Sequence, residues 1–193
     1  MLSSSSAHLC YSAAMMAHPR RRITLIAHNI RSTHNVGAIF RTAEGFGVSR
    51  LILSGYTPYP SANTDRSFGL SSDDGRLPHE ARRVTAAIRK TALGAEQLVP
   101  FSRYDTLDEW LEENRRAEKP LPLVALEQAE RSLDIGEFSP PAEFALLLGE
   151  EVNGIEPQLL AQCDHVVEIP MYGQKESFNV SVAAGIALYA LGL

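Results

Sequence analysis

The chain has 193 residues, 45% of them hydrophobic, and a formal net charge of −5 at pH 7. That size and apolar content fit one domain with a full core, and the acidity by itself argues against a nucleic-acid partner. Cys10 and Cys163 stand far apart and six histidines show no ligand spacing, so neither a disulfide framework nor a metal site is indicated. No apolar run is long enough to span a membrane, and a reduced, cytoplasmic compartment is expected. The first nineteen residues are rich in Ser, Ala, Met and His, and no acidic residue precedes Glu44. Met15 and Met16 suggest a later translation start, which makes residues 1–19 a disordered or mis-assigned extension ahead of a domain at 20–193.

An apolar run at 23–27 reads as a strand and is followed by a helix at 36–46 with Asn35 as its N-cap. Val36, Ile39, Phe40 and Ala43 recur at helical spacing and should face the core. Arg41 lies one turn after Gly37, so its stem is expected over the gap that Gly37 leaves, with the guanidinium turned back toward Asn35. A cation there opposes the helix dipole unless an anion is held nearby. A strand at 50–53 then leads into a long loop at 55–75, rich in Pro, Ser, Asn, Asp and Gly, which carries Tyr56, Tyr59, Arg66 and Phe68. Such a loop can stack on bases or grip phosphates, or can simply be flexible.

A helix is expected near 81–91, ending in Lys90-Thr91-Ala92-Leu93-Gly94-Ala95, followed by a strand at 97–101, an amphipathic helix at 107–116 and a strand at 121–126. Residues 144–148 are continuously apolar, as suits a central parallel strand covered on both sides. Gly149 lets the backbone turn closely, Glu150 and Glu151 arrive at the strand's carboxyl end where open α/β sheets bind ligands, and Pro157 suits a helix start. A last strand at 166–169 precedes Ser177-Phe178-Asn179-Val180-Ser181 at the mouth of a small-residue helix over 182–191, expected to be buried. Three apolar strands thus each end in a turn that collects polar groups. Charge is also uneven: residues 1–100 hold 12 Lys and Arg against 6 acidic residues, and residues 101–193 hold 6 against 17. A basic face is therefore compatible with the acidic total, as is scattered solvated charge.

These turns resemble the three motifs of the SpoU/TrmH family of RNA ribose methyltransferases in the SPOUT superfamily. Asn35, Gly37, Arg41 and Thr42 match the first motif, and Gly149, Glu151 and Gly154 match the second. Ile169, Pro170, Met171, Gly173, Ser177, Asn179 and Ser181 match the third. Phe178 stands where the family usually carries Leu. The resemblance implies an α/β fold, a mostly parallel sheet with helices on both faces and a C-terminal trefoil knot. It further implies S-adenosyl-L-methionine as methyl donor with no metal, tRNA or rRNA as partner, a homodimer, and transfer to a ribose 2′-hydroxyl. Asn35, Arg41, Glu151 and Asn179 would form the reacting end, with Leu126, Gly149, Ile169, Met171, Ser177 and Phe178 around the cofactor. Arg41 would be the base or would orient phosphate and hydroxyl while water or Glu151 takes the proton. A guanidinium resists deprotonation, and the residues alone leave both roles open. A catalytically silent RNA-binding module on the same fold is the alternative. A dinucleotide-binding sheet is not supported, because Gly45-Phe46-Gly47 ends a helix rather than following a strand.

Overall fold

The computed structural model describes residues 21–61 and 74–192; the extension at 1–19 and the loop residues Arg66 and Phe68 lie outside the described residues. Seven strands, β1 (Arg22–His28), β2 (Arg50–Ser54), β3 (Phe101–Tyr104), β4 (Leu123–Leu126), β5 (Leu133–Asp134), β6 (Glu143–Leu148) and β7 (His165–Glu168), form one sheet in the order β3-β2-β1-β6-β4-β7-β5. Every neighbouring pair is parallel. The helices are α1 (Thr33–Phe46), α2 (Pro78–Ala92), α3 (Leu107–Arg116), α4 (Pro157–Leu160) and α5 (Val180–Gly192).

Alternation along the strands divides the core in two. Leu25, Ala27, Leu51, Leu53, Phe144, Leu146 and Leu148 point to one face, where they meet residues of α1, α2 and α5. Ile26, Ile52, Ala145 and Leu147 point to the other, where Trp110 and Leu111 of α3 and Leu159 of α4 cover them. A strand buried on both faces has no polar side to alternate with, which is why 144–148 reads as an unbroken apolar run. The expected parallel sheet with helices on both faces is what the chain forms.

Local chemistry moves several element boundaries. Strand 97–101 is replaced by a 3₁₀ turn, Ala95–Gln97, and the ladder starts only at Phe101, because Pro100 has no N–H to give and offers only its carbonyl, which accepts from Leu51 N–H. β4 likewise begins after Pro122. β5 is two residues long, too short to show a period in sequence. Helix α1 starts at Thr33 rather than Val36: Ser32 is its N-cap and accepts from Asn35 N–H at 3.3 Å, so Asn35 is not the cap. Helix α5 begins two residues early, with Asn179 closing its first turn. It is not wholly buried, since Val182 and Tyr189, seven residues apart on one face, are 50% and 63% exposed.

The gap at Gly37 has a different occupant from the one expected. A Cβ there would run into the Ile88 carbonyl oxygen and the Thr91 hydroxyl of α2, so this glycine lets two helices touch, and Arg41 is exposed elsewhere on α1. Thr91 Oγ1 donates to the His34 carbonyl at 2.9 Å, which explains why the Lys90-Thr91-Ala92 run sits where α2 crosses the start of α1. Gly37→Ala should therefore lower stability by about 1–3 kcal/mol, because a backbone carbonyl cannot swing aside as a side chain can. Urea unfolding measures it, and a midpoint equal to wild type would show that the helices have room to spare.

Candidate active site

Strands β1 and β6 are parallel neighbours whose last paired residues, Ala27 and Leu148, end at the same level. On leaving β1 the chain has built β2 and β3 on one side, and it then returns to build β4, β7 and β5 on the other. The carboxyl ends of β1 and β6 therefore lie at the point where strand order reverses, the usual crevice of an open α/β sheet. The loop after β1 brings Arg31, Ser32 and Asn35, and the loop after β6 brings Gly149, Glu150 and Glu151.

Glu151 joins the two loops. Its Oε2 accepts from Arg31 N–H at 3.0 Å, and its Oε1 accepts from Ser32 N–H at 3.2 Å and from Asn35 Nδ2 at 3.0 Å. These donors belong to the start of α1, where backbone N–H groups are unpaired and the dipole favours negative charge. Asn35 Oδ1 in turn accepts from Asn179 Nδ2 at 3.2 Å, and Asn179 Oδ1 accepts from Ser181 N–H at 3.0 Å and Ser181 Oγ at 2.7 Å. A carboxylate can only accept and a backbone N–H can only donate, so both amide orientations along this chain are fixed. Partial burial alone would raise the Glu151 pKa, but the hydrogen bonds from Arg31, Asn35 and Ser32 outweigh it and hold the carboxyl below its ordinary 4.5.

Of the four residues expected at the reacting end, Asn35, Glu151 and Asn179 are thus joined. Arg41 is not. It lies six residues along α1 from Asn35, about 9 Å up the helix axis and on another face, and among the described residues no hydrogen bond or ion pair links it to these three. Among the described residues, the cation that pairs with this acidic loop is instead Arg31, whose guanidinium lies 3.7 Å from Glu150.

Beside Glu151 a cleft of about 330 Å³ opens between the ends of β4, β6 and β7 and the segment before α5. Leu126, Gly149, Ile169, Ser177 and Phe178 line it, five of the six residues expected around a cofactor; Met171 is not in its wall. Gly149 is required there for packing, since a Cβ would strike Gly154 and Ile155. Five carboxylates also line the cleft, those of Glu127, Glu150, Glu151, Glu168 and Glu176, so it suits a ligand carrying positive charge. Glu127 was not foreseen, although it follows β4 directly: its Oε2 accepts from Ile155 N–H at 2.8 Å and fills the space beside Gly154, whose φ of 67° needs glycine. Among the described residues no group of His, Cys, Asp and Glu could hold a metal ion.

A second polar chain supports the loop after β1. Asn29, in the left-handed region at φ 58°, has its Nδ2 3.0 Å from His28 Nε2, and His28 Nδ1 lies 2.9 Å from Ser54 Oγ. Asn29 Oδ1 accepts from Tyr56 N–H at 3.3 Å, so Nδ2 is the donor to His28, whose Nδ1–H then donates to Ser54. Burial lowers the His28 pKa from its ordinary 6.5, against the opposing pull of Glu156 and Asp108, which keeps the ring neutral as this chain of bonds requires.

Glu151 makes a testable contribution to acid stability. Its folded pKa is depressed, so its stabilising effect is complete above 4.5, its unfolded value, and is lost as pH falls through the lower folded value. In urea unfolding between pH 7 and pH 3, Glu151→Gln should be the less stable chain at neutral pH, and the gap to wild type should close toward pH 3. A gap independent of pH would show that the carboxylate's charge is not what binds the two loops.

Residues 69–189 match the model of the SpoU rRNA Methylase family. The chain is 32% identical over 170 residues to the 23S rRNA (guanosine-2′-O-)-methyltransferase RlmB of Coxiella burnetii, covering 86% of this chain and 56% of that protein. It is 33% identical over 168 residues to the enzyme of the same name from Nitrosomonas europaea, covering 86% and 54%. The chain thus spans little more than half the length of the curated relatives it matches. In fold it is similar to an AdoMet-bound rRNA methyltransferase from Sinorhizobium meliloti, with a TM-score of 0.68 at 23% identity over 91% of this chain and 57% of that one. It is also similar to a TrmH/SpoU tRNA modifying enzyme of A. aeolicus, with a TM-score of 0.63 at 25% identity over 89% and 76%. A family model matched over more than half the chain, together with relatives above 30% identity, leads to one conclusion: the chain belongs to the SpoU rRNA methylase family.

Proposed function

We propose that this chain is an S-adenosyl-L-methionine-dependent methyltransferase acting on a ribose 2′-hydroxyl of tRNA or rRNA. The observation that carries this reading is the hydrogen-bonded set Asn35, Glu151 and Asn179 at the rim of an acidic, partly apolar cleft. The cleft fits the donor: apolar Leu126, Ile169 and Phe178 offer packing for an adenine, Gly149 and Ser177 offer close backbone and a hydroxyl, and the carboxylates suit a sulfonium and an ammonium group. Met171 is kept on the resemblance alone. When bound, the donor supplies a methyl group on a positively charged sulfur that an oxygen nucleophile can displace.

The side chains then divide the work. Glu151 fixes the loop geometry and, with its pKa lowered and three donors already on it, is a weak base. Asn35 and Asn179 orient the ribose. The proton must therefore leave by way of Arg41 or of water that Arg41 orders beside a phosphate. Arg41 is not held by its own chain's triad, and Val182 and Tyr189 leave an apolar strip exposed on α5. Both features support a homodimer in which Arg41 is supplied across the interface. The threaded, knotted C-terminus belongs to the same reading: β7 lies between β4 and β5, and the last helix returns to pack on α1. The cytoplasm is the proposed compartment, where a free thiol such as Cys163 stays reduced.

Unmodified tRNA and 23S rRNA transcripts incubated with labelled donor should acquire label at a 2′-oxygen. Arg41→Ala should lower turnover by roughly 10²- to 10⁴-fold with donor affinity unchanged, and Arg41→Lys should not restore it if proton transfer or bidentate contact is needed. A chain that binds RNA but shows no donor binding in calorimetry would instead be the silent module. Co-expressing Arg41→Ala and Glu151→Gln chains tests the interface: if Arg41 crosses it, roughly a quarter of wild-type sites are restored, by random pairing in a two-fold dimer. No recovery would place both residues in one chain's site.

A further inference from the structure

Tyr56 follows β2 after Gly55 and is 54% exposed, although its backbone is held from behind. Its N–H is held by Asn29 Oδ1, itself placed by the His28 and Ser54 chain. The preceding Gly55, at φ 66°, packs its α-carbon against that same amide, and its carbonyl accepts from Arg103 Nη2 at 3.5 Å. The following Thr57 is buried, donating to the Ala27 carbonyl and accepting from Ile30 N–H, both at 3.0 Å. Asn29 is a non-glycine residue in the left-handed region, a conformation that costs free energy and persists only where its surroundings enforce it.

A rigid loop that spends two left-handed residues and a buried polar chain to present one aromatic ring to solvent is a poor solution for packing, since the ring covers little. It is a good one for stacking. The Tyr56 hydroxyl meets the Glu150 carboxylate at the ring's far end, whose charge would repel a phosphate backbone; Arg31, 64% exposed and 3.7 Å from that carboxylate, offsets it. A nucleotide whose ribose sits at Asn35 and Asn179 carries its base only a few ångströms from the sugar, within reach of residues bordering Glu150 and Glu151.

We propose that Tyr56 is the platform on which a base of the RNA stacks beside the methylation site, with His28 and Asn29 as positioning residues. The proposal rests on the reading of this site as one that takes RNA and extends it to a specific contact. Aromatic stacking is tolerant of base identity, so Tyr56 would contribute affinity more than sequence choice.

The test uses the full chain and end-labelled, unmodified transcripts of 23S rRNA segments and tRNAs, with binding read by fluorescence anisotropy and donor affinity by calorimetry. Tyr56→Ala and Tyr56→Leu should weaken RNA binding by about 5- to 100-fold, the range for one lost base–aromatic stack. Tyr56→Phe should stay within about twofold of wild type, and donor affinity and unfolding midpoint should be unchanged in Tyr56→Leu, which keeps apolar bulk without a π face. The proposal is overturned if Tyr56→Leu binds like wild type, if Tyr56→Phe loses as much as Tyr56→Ala, if the variants fall apart into monomers, or if wild type binds no transcript. Absence of methyl transfer alongside Tyr56-dependent binding would sink the methylation reading and leave the stacking contact standing.

Discussion

One carboxylate organises the candidate site. Glu151 stands just after β6 and accepts three hydrogen bonds from Arg31, Ser32 and Asn35 at the start of α1, so the loop after the sixth strand and the first helix of the chain are held as one unit. Both partners gain. The helix start has donors with no intrahelical acceptor, and the carboxylate, arriving where the dipole is positive, is kept ionised. Ser32 completes the arrangement by capping the helix itself, which releases the Asn35 side chain to bridge from Glu151 to Asn179. Had Asn35 been the cap, its oxygen would have turned inward to a backbone N–H and the chain of amides to α5 could not form.

The cleft beside this junction follows from strand order. β6 carries Gly149 next to Ile155 and Gly154, and the close approach that only glycine permits folds the 150–154 turn back on itself, with Glu150 and Gly154 exchanging backbone bonds at 3.1 and 3.0 Å. Glu127 at the end of β4 then buttresses that turn from below. The acidic character of the cleft is thus partly structural: Glu127 and Glu151 are there to receive N–H groups, and the negative field they leave is available to a cationic ligand at no further expense. Arg22, Arg31, Arg76 and Arg89 meet carboxylates, while Arg82, Arg83 and Lys90 lie exposed along α2.

Much of the fold was readable because the strands and helices obey simple periods. The parallel sheet shows in the apolar run at 144–148, and helices 36–46, 81–91 and 107–116 were placed within three residues of their ends. Two of the misses share a cause, a partner distant in sequence. Asn35 is a good cap by type, and only the presence of Glu151, 116 residues away, explains why Ser32 takes that role. Gly37 invites a neighbouring side chain on its own helix, yet α2 fills the space. The loss of the strand expected at 97–101 has a local cause instead: Pro100 cannot donate, and the ladder starts only at Phe101. For the site, the expected positions that share a cleft are Leu126 at the end of β4 and those at the ends of β6 and β7 and on the approach to α5. Glu127 lacks any period or spacing to mark it and stands out only once its loop is seen beside that of Glu151, whereas Tyr56 is legible as an aromatic of the long loop but not as a neighbour of the site.

The closed hydrogen bonding of the triad also constrains what it can do. Asn35 has its amide oxygen and one amide hydrogen engaged, Asn179 has its oxygen doubly engaged, and Glu151 is occupied by donors that also hold its pKa down. A group so satisfied gives up its partners reluctantly, because any proton it accepted would strand a donor of α1. The set is therefore built to hold position rather than to exchange protons. In the proposed reaction, the group that takes the ribose proton therefore lies outside this network. The exposed guanidinium on α1 is free of it because the helix that anchors Asn35 carries Arg41 round to a different face.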